Sequence, residues 1–142
     1  VNLLLDTKVV SEWTKPQPNP HVVTWLAEVD EDRAFLSVAT LAEIRRGVER
    51  LQKGRRRDRL ARWLSDDLPV RFEDRILPID RGVAEAGGVV VARGEKAGTT
   101  VGTMDAFFAA TAEVYGLTLA TRNVKDFGRL GIRLFDPWNP QS

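Results

Sequence analysis

The chain has 142 residues, 43% hydrophobic and 29% charged, with a net charge of +1; this suits one globular domain over residues 1–142 with a core of its own. Cysteine is absent and histidine occurs once, which excludes disulfides, thiolate metal sites, a cysteine nucleophile and a histidine-rich metal centre. No apolar run approaches the roughly 20 residues of a membrane span and no signal-peptide pattern opens the chain, so a cytoplasmic protein without membrane contact is expected.

Asn2–Leu5 reads as a buried strand, followed by a short helix from Thr7 toward Trp13. A second helix is predicted from about Pro20, with Val22, Val23, Trp25, Leu26 and Val29 as its apolar face and His21 at its exposed start. The strand Ala34–Val38 leads into a helix over Thr40–Lys53, where Leu41, Ile44, Val48 and Leu51 recur at helical spacing. After the Lys53-Gly54-Arg55 turn, Arg57–Leu68 is predicted as a partner helix with Leu60, Trp63 and Leu64 inward. A strand over Arg75–Ile79 and helices over Arg81–Glu95 and Thr103–Tyr115 follow, the last closed by Gly116 in the favoured position after a helix. Gly94–Thr100 lacks the lysine a phosphate loop needs and follows a helix, so it reads as a flexible connection. Strands over Leu117–Thr121 and Ile132–Phe135 complete the chain, with Trp138 packing the tail onto the body.

Strands alternating with helices imply an α/β fold, a parallel sheet of about five strands covered on both faces. In such sheets ligands collect beyond the carboxyl ends of the strands, where strand order reverses. Four acids fall at positions compatible with that end: Asp6, Glu43, Asp105 and Asp126. Each has a local explanation. Asp6 suits a cap for the helix at Thr7, and Thr40-Leu41-Ala42-Glu43 fits a reciprocal capping box. Asp105 suits a helix N-terminus, and Asp126 suits a capped turn anchored by Phe127. Their shared placement is explained only by a common site, and converging carboxylates suit a hard divalent ion.

Charge is uneven. Between Arg45 and Arg62 nine basic residues face only Glu49 and Asp58, a local +7 that leaves −6 for the rest of a chain whose total is +1. Taken alone this is a solvated helix face and a charged turn; beside an acidic site it becomes a footprint for a polyanion.

Four segments resemble the PIN-domain ribonucleases, in particular the VapC/FitB-like toxins of bacterial toxin–antitoxin pairs. They are Leu3–Glu12, Ser37–Gly47, Asp105–Ala112 and Leu119–Phe127, and the ending Phe135-Asp136-Pro137-Trp138 is also similar. The resemblance spans essentially the whole chain, and four motifs in order at suitable spacing make it specific. It implies a three-layer α/β/α PIN-like fold and a Mg²⁺- or Mn²⁺-dependent endoribonuclease. Asp6, Glu43 and Asp105 carry over as central acids, with Asp6 and Asp105 as main metal ligands. Asn123 and Asp126 both qualify for the fourth position. Thr7 and Thr121 are expected to orient these groups, while Arg45, Arg46, Arg55, Arg56 and Arg57 are expected to meet RNA phosphates. A cognate antitoxin and a homodimer are implied as well.

One residue departs from the pattern. The position after Asp6-Thr7 is usually asparagine in the family, and here it is Lys8. Its ammonium weakens metal binding by repulsion, occupies the metal position as a counter-ion, or points away. Two other readings therefore stand beside the ribonuclease: a metal-impaired module that binds RNA or antitoxin, and a DNA nuclease or phosphatase using the same acids.

Overall fold

The computed structural model of the chain describes residues 1–140. Residues 141 and 142, part of the expected single domain, lie outside the described residues. The five strands are β1 (Leu3–Leu5), β2 (Ala34–Ser37), β3 (Ile76–Leu77), β4 (Thr118–Ala120) and β5 (Leu134–Phe135). They form one parallel sheet in the order β3-β2-β1-β4-β5. Successive strands step outward from β1 to β2 and β3, and the chain then returns to the other side of β1 for β4 and β5. The reversal lies between β1 and β4, paired from Leu3↔Thr118 to Leu5↔Ala120.

Both faces of the sheet are dry, and the strands show it residue by residue. Leu4 and Leu119 enter one core with Val83, Val90 and Phe108, whereas Leu5 and Ala120 enter another with Val9, Val22, Ile44, Leu68 and Phe72. Alternation with period two thus feeds two cores from the same short strands. The first core is covered by α6 (Arg81–Lys96) and α7 (Thr103–Tyr115). The second is covered by α1 (Thr7–Ser11), α2 (Pro20–Glu28), α3 (Val38–Arg50), α4 (Arg55–Arg62) and α5 (Leu68–Phe72). A last short helix, α8 (Val124–Gly128), separates β4 from β5. This is the expected three-layer α/β/α arrangement.

Each predicted strand contains the observed one and is one to three residues too long. The helices reveal more. On α2, Val22 and Leu26 are buried, but Val23 is 41% exposed because the helix presents a narrower face than its apolar content suggests. The predicted Arg57–Leu68 helix is longer at both ends: α4 starts at Arg55, widens into a π turn over Trp63–Asp67 and continues as α5 to Phe72. Pro69 sits at the start of α5. A proline within a helical run supplies no N–H to the turn before it, and one wider turn absorbs that defect without ending the run.

α3 begins at Val38, earlier than the predicted Thr40, and Ser37 caps it by accepting from the Ala39 N–H at 3.0 Å. Glu43 therefore stands in the second turn, beyond reach of a capping box, and Thr40 is fully buried. The segment read as a flexible connection begins inside α6, which runs to Lys96, and its first residue is buried. Gly94 belongs to α6, where a Cβ would approach Val101 Cγ2 to 2.4 Å, so only glycine lets the following turn close against the helix. Gly116 ends α7 in the left-handed conformation, with φ of 67°, as its position predicts.

Candidate active site

The switch point between β1 and β4 is where the site forms. Asp6 follows Leu5, and its N–H donates to Ala120 O at 3.0 Å, extending the pairing one residue past the strand. Its carboxylate is then tied twice. Oδ1 accepts from the Thr7 N–H at 2.7 Å, which caps α1 as expected, and Oδ2 accepts from Thr121 Oγ1 at 2.7 Å. Thr121 is itself fully buried one residue beyond β4. Two adjacent strand ends thereby hold one carboxylate in a single orientation.

Glu43 reaches the same place from α3. Thr7 Oγ1 donates to Glu43 Oε1 and also lies 3.3 Å from the buried Thr40 hydroxyl. Both hydroxyls expected to orient the acids, Thr7 and Thr121, are in contact with them. Asp105 comes from the first turn of α7, as predicted. Asp6, Glu43, Asp105 and Asn123 line one cavity of about 670 Å³, together with Thr7, Lys8, Arg46, Gly47, Arg50, Arg122 and Phe127.

The two candidates for the fourth position, Asn123 and Asp126, are placed differently. Asn123 is half-buried and lines the main cavity, while Asp126 is exposed and lines a smaller adjoining cleft with Asp105 and Phe127. Asp126 still acts at a distance through its charge. Burial, followed by the charges of Asp6, Glu43 and Asp126, raises the Asp105 carboxyl above the usual range, and Lys8 partly offsets this. Burial likewise raises Asp6, against the Thr121 and Thr7 hydrogen bonds and the Lys8 charge. Like charges held together in a partly dry cleft favour either protons or a cation.

The donor set is made of hard carboxylate and amide oxygens, the chemistry that divalent magnesium or manganese accepts. Among the described residues no three His, Cys, Asp or Glu side chains are grouped so as to hold an ion between them. An ion held by one or two carboxylates and completed by water needs no such group, and the residues fit that mode.

The basic run divides over several surfaces. Of the five arginines expected to meet phosphate, only Arg46 lines the acidic cavity. Arg45 is 3.6 Å from Glu49 and donates to Ser65 Oγ, and Arg57 is 3.2 Å from Glu49. Arg56 lines a separate groove of about 500 Å³ with Trp13, Trp63, Arg59 and Arg62, while Arg55 is exposed at the start of α4. The five arginines expected to meet phosphate therefore do not share one cavity. Arginines adjacent in sequence have different neighbours: Arg46 faces the cavity and Arg45 turns to Glu49 and Ser65. Two cavity residues were missed, Arg50 and Arg122. A signal for Arg50 existed: Glu43, Arg46, Gly47 and Arg50 fall at i, i+3, i+4 and i+7, one face of a helix. Arg122 carried no such signal beyond its place next to Thr121.

An acid-lined cleft at the switch point of this parallel sheet is the architecture of a PIN domain, and the PIN-domain model matches residues 3–132. The chain belongs to that family. It is similar to toxin FitB of Neisseria gonorrhoeae, at 36% identity over 96% of this chain and 99% of that one. It is also similar to VapC ribonuclease Y4jK of Sinorhizobium fredii, at 30% identity over 97% and 99% of the two chains. Among solved structures, FitAB bound to an IR36 DNA fragment matches with a TM-score of 0.90 and 35% identity, covering 96% of this chain and 95% of that one.

Proposed function

We propose that this chain is the toxin of a toxin–antitoxin pair and a Mg²⁺- or Mn²⁺-dependent endoribonuclease that hydrolyses RNA phosphodiester bonds. The observation that carries the reading is the convergence of Asp6, Glu43 and Asp105 on one cavity whose other lining residues include Arg46, Arg50 and Arg122. An acidic floor calls for a cation, and a basic lining calls for phosphate. Similarity to a toxin and to a ribonuclease along nearly the whole chain points the same way.

In this reading Asp6 and Asp105 hold the ion, directly or through water. When bound, the ion supplies a polarised water and stabilises charge on the phosphate. Thr121 and the Thr7 N–H hold Asp6 in one rotamer, so its lone pairs face the cavity without reorganisation. Glu43, fixed by Thr7, orients the attacking water, and Asn123 completes the polar wall. Arg46, Arg50 and Arg122 contact backbone phosphates on either side of the scissile bond. Such contacts position the strand without reading its sequence.

The antitoxin places a segment in the same cavity, and the toxin works in the cytoplasm as a homodimer. Val89 on α6 and Val114 on α7 stand exposed on the layer available to a second copy. Among the described residues no helix is long and apolar enough to cross a membrane.

The test uses antitoxin-free protein with structured and single-stranded RNAs and matched DNAs, in Mn²⁺, Mg²⁺ or EDTA. Cleavage of RNA requires the metal, and Asp6→Asn lowers it by at least about 100-fold with the fold intact. Wild-type rates in Asp6→Asn sink the assignment, and faster cutting of DNA transfers it to a different nuclease class.

A further inference from the structure

Lys8 is the second residue of α1, two positions past Asp6. It lines the acidic cavity with Asp6, Glu43 and Asp105. The residue is exposed. Among the described residues it takes part in none of the close ion pairs, which engage Lys15, Arg33, Arg45, Arg57, Arg71 and Arg93 instead. From the first turn of α1, which Asp6 caps, its charge stands at the same cavity as the three acids.

We propose that Lys8 is a tethered counter-ion of the acidic floor that competes with the divalent ion for it. The inference rests on the metal-dependent reading above. A lysine suits the task better than an arginine would: its charge is compact, and its flexible four-carbon stem lets the ammonium leave the floor when a stronger cation arrives. With no metal present, one positive charge moderates the mutual repulsion of the three carboxylates that line the cavity. With metal present, that same charge opposes a doubly charged ion in a hydrated cleft. Across several ångströms of screened, partly exposed space, such repulsion changes affinity by about three- to tenfold. The chain would then need more free metal for activity than its acids alone demand.

The experiment measures Mn²⁺ binding by calorimetry to the full-length, metal-stripped chain, comparing wild type with Lys8→Met, Lys8→Arg and Asp6→Asn at low and high salt. Lys8→Met keeps the stem and removes the charge; it tightens Mn²⁺ binding by about three- to tenfold, and the gain shrinks as salt screens it. Lys8→Arg stays within about twofold of wild type because the charge is retained. Thermal melting gives a second readout. In EDTA, Lys8→Met melts below wild type, and Mn²⁺ raises its Tm more than it raises that of wild type. If Asp6→Asn abolishes binding while Lys8→Met binds no tighter than wild type, the counter-ion role is overturned and the metal site stands. Equal binding in Asp6→Asn and wild type, or no binding by any variant, overturns the metal site and the role of Lys8 with it.

Discussion

Glu12 and Asp6 flank the same short helix, and both carboxylates are drawn out of solvent, yet they titrate in opposite directions. At Glu12, 2% exposed, burial pushes the carboxyl up but is outweighed. Lys15 Nζ stands 2.5 Å from Oε2, the Asn19 N–H donates to Oε1 at 2.9 Å, and Arg122 adds its charge, so the net shift is downward. The buried Oε2 is partnered by the Lys15 ammonium. At Asp6 burial prevails over its two hydrogen bonds, and the net shift is upward. One acid carries its own compensation, folded in from the Lys15–Asn19 loop. The other is oriented and left short of positive charge. A carboxylate that serves the fold is neutralised by the fold; one that serves a ligand waits for it.

That contrast can be broken most directly by deleting the compensated acid. Glu12→Ala leaves the Asn19 N–H without its acceptor and Lys15 without its partner; it costs about 2 to 3 kcal/mol of stability, with or without Mn²⁺. Asp6→Asn in EDTA is neutral or stabilising, because it removes a carboxylate that burial disfavours. Urea midpoints of the two variants check this, and a larger loss in Asp6→Asn would make Asp6 a structural acid.

The arginines repeat the contrast with opposite charge. Arg45 is engaged by Glu49 and Ser65, whereas Arg46 faces the cavity. Arg46→Ala is expected to weaken RNA binding about three- to tenfold and to reduce the salt slope by about 1, with Arg45→Ala changing both much less. Fluorescence titrations against salt decide between them, and equal effects would return the phosphate role to the basic run as a whole.

Smallest and most diagnostic is the pH dependence of the metal-free chain. Asp6 and Asp105, raised in the folded state, retain protons that the unfolded chain releases. Their contribution is present below the ordinary carboxylate range and is lost as pH rises through their folded values. Glu12, lowered, contributes above the ordinary glutamate range and loses that contribution as pH falls through its folded value. Asp6→Asn should flatten the loss on the rising side, and Glu12→Gln the loss on the acid side. Urea midpoints in EDTA from about pH 3 to about pH 7 separate the two. Identical profiles in both variants would erase the distinction.

Much of this was legible in advance because the signals are local and periodic. Five apolar runs alternating with helical patterns predicted the covered parallel sheet, and the positions of Asp6 and Asp105 at element ends pointed to its carboxyl edge. Glu43 was placed in the right neighbourhood for a reason that failed. Its spacing from Thr40 mimicked a capping box, whereas Ser37 caps α3 and Thr40 turns inward to meet Thr7. Glu12 was noticed only as part of a motif, since nothing about its neighbours announced a buried ion pair. Pro69 hid the continuation of α4 into α5, because a proline reads as a stop unless the preceding turn can widen.

The sequence by itself determined which segments become strands and helices, which acids fall at their ends, and which residues bind into dry faces, since each depends on periodicity and local bonding. Only the tertiary structure decided that Asn123 rather than Asp126 lines the main cavity, that Arg46, Arg50 and Arg122 share it while Arg45 and Arg57 turn to Glu49, and that Lys8 faces the acids. Those outcomes depend on the order of strands and the directions of helices, which bring together residues more than a hundred positions apart, as Thr121 and Asp6 are brought together across the β1–β4 seam.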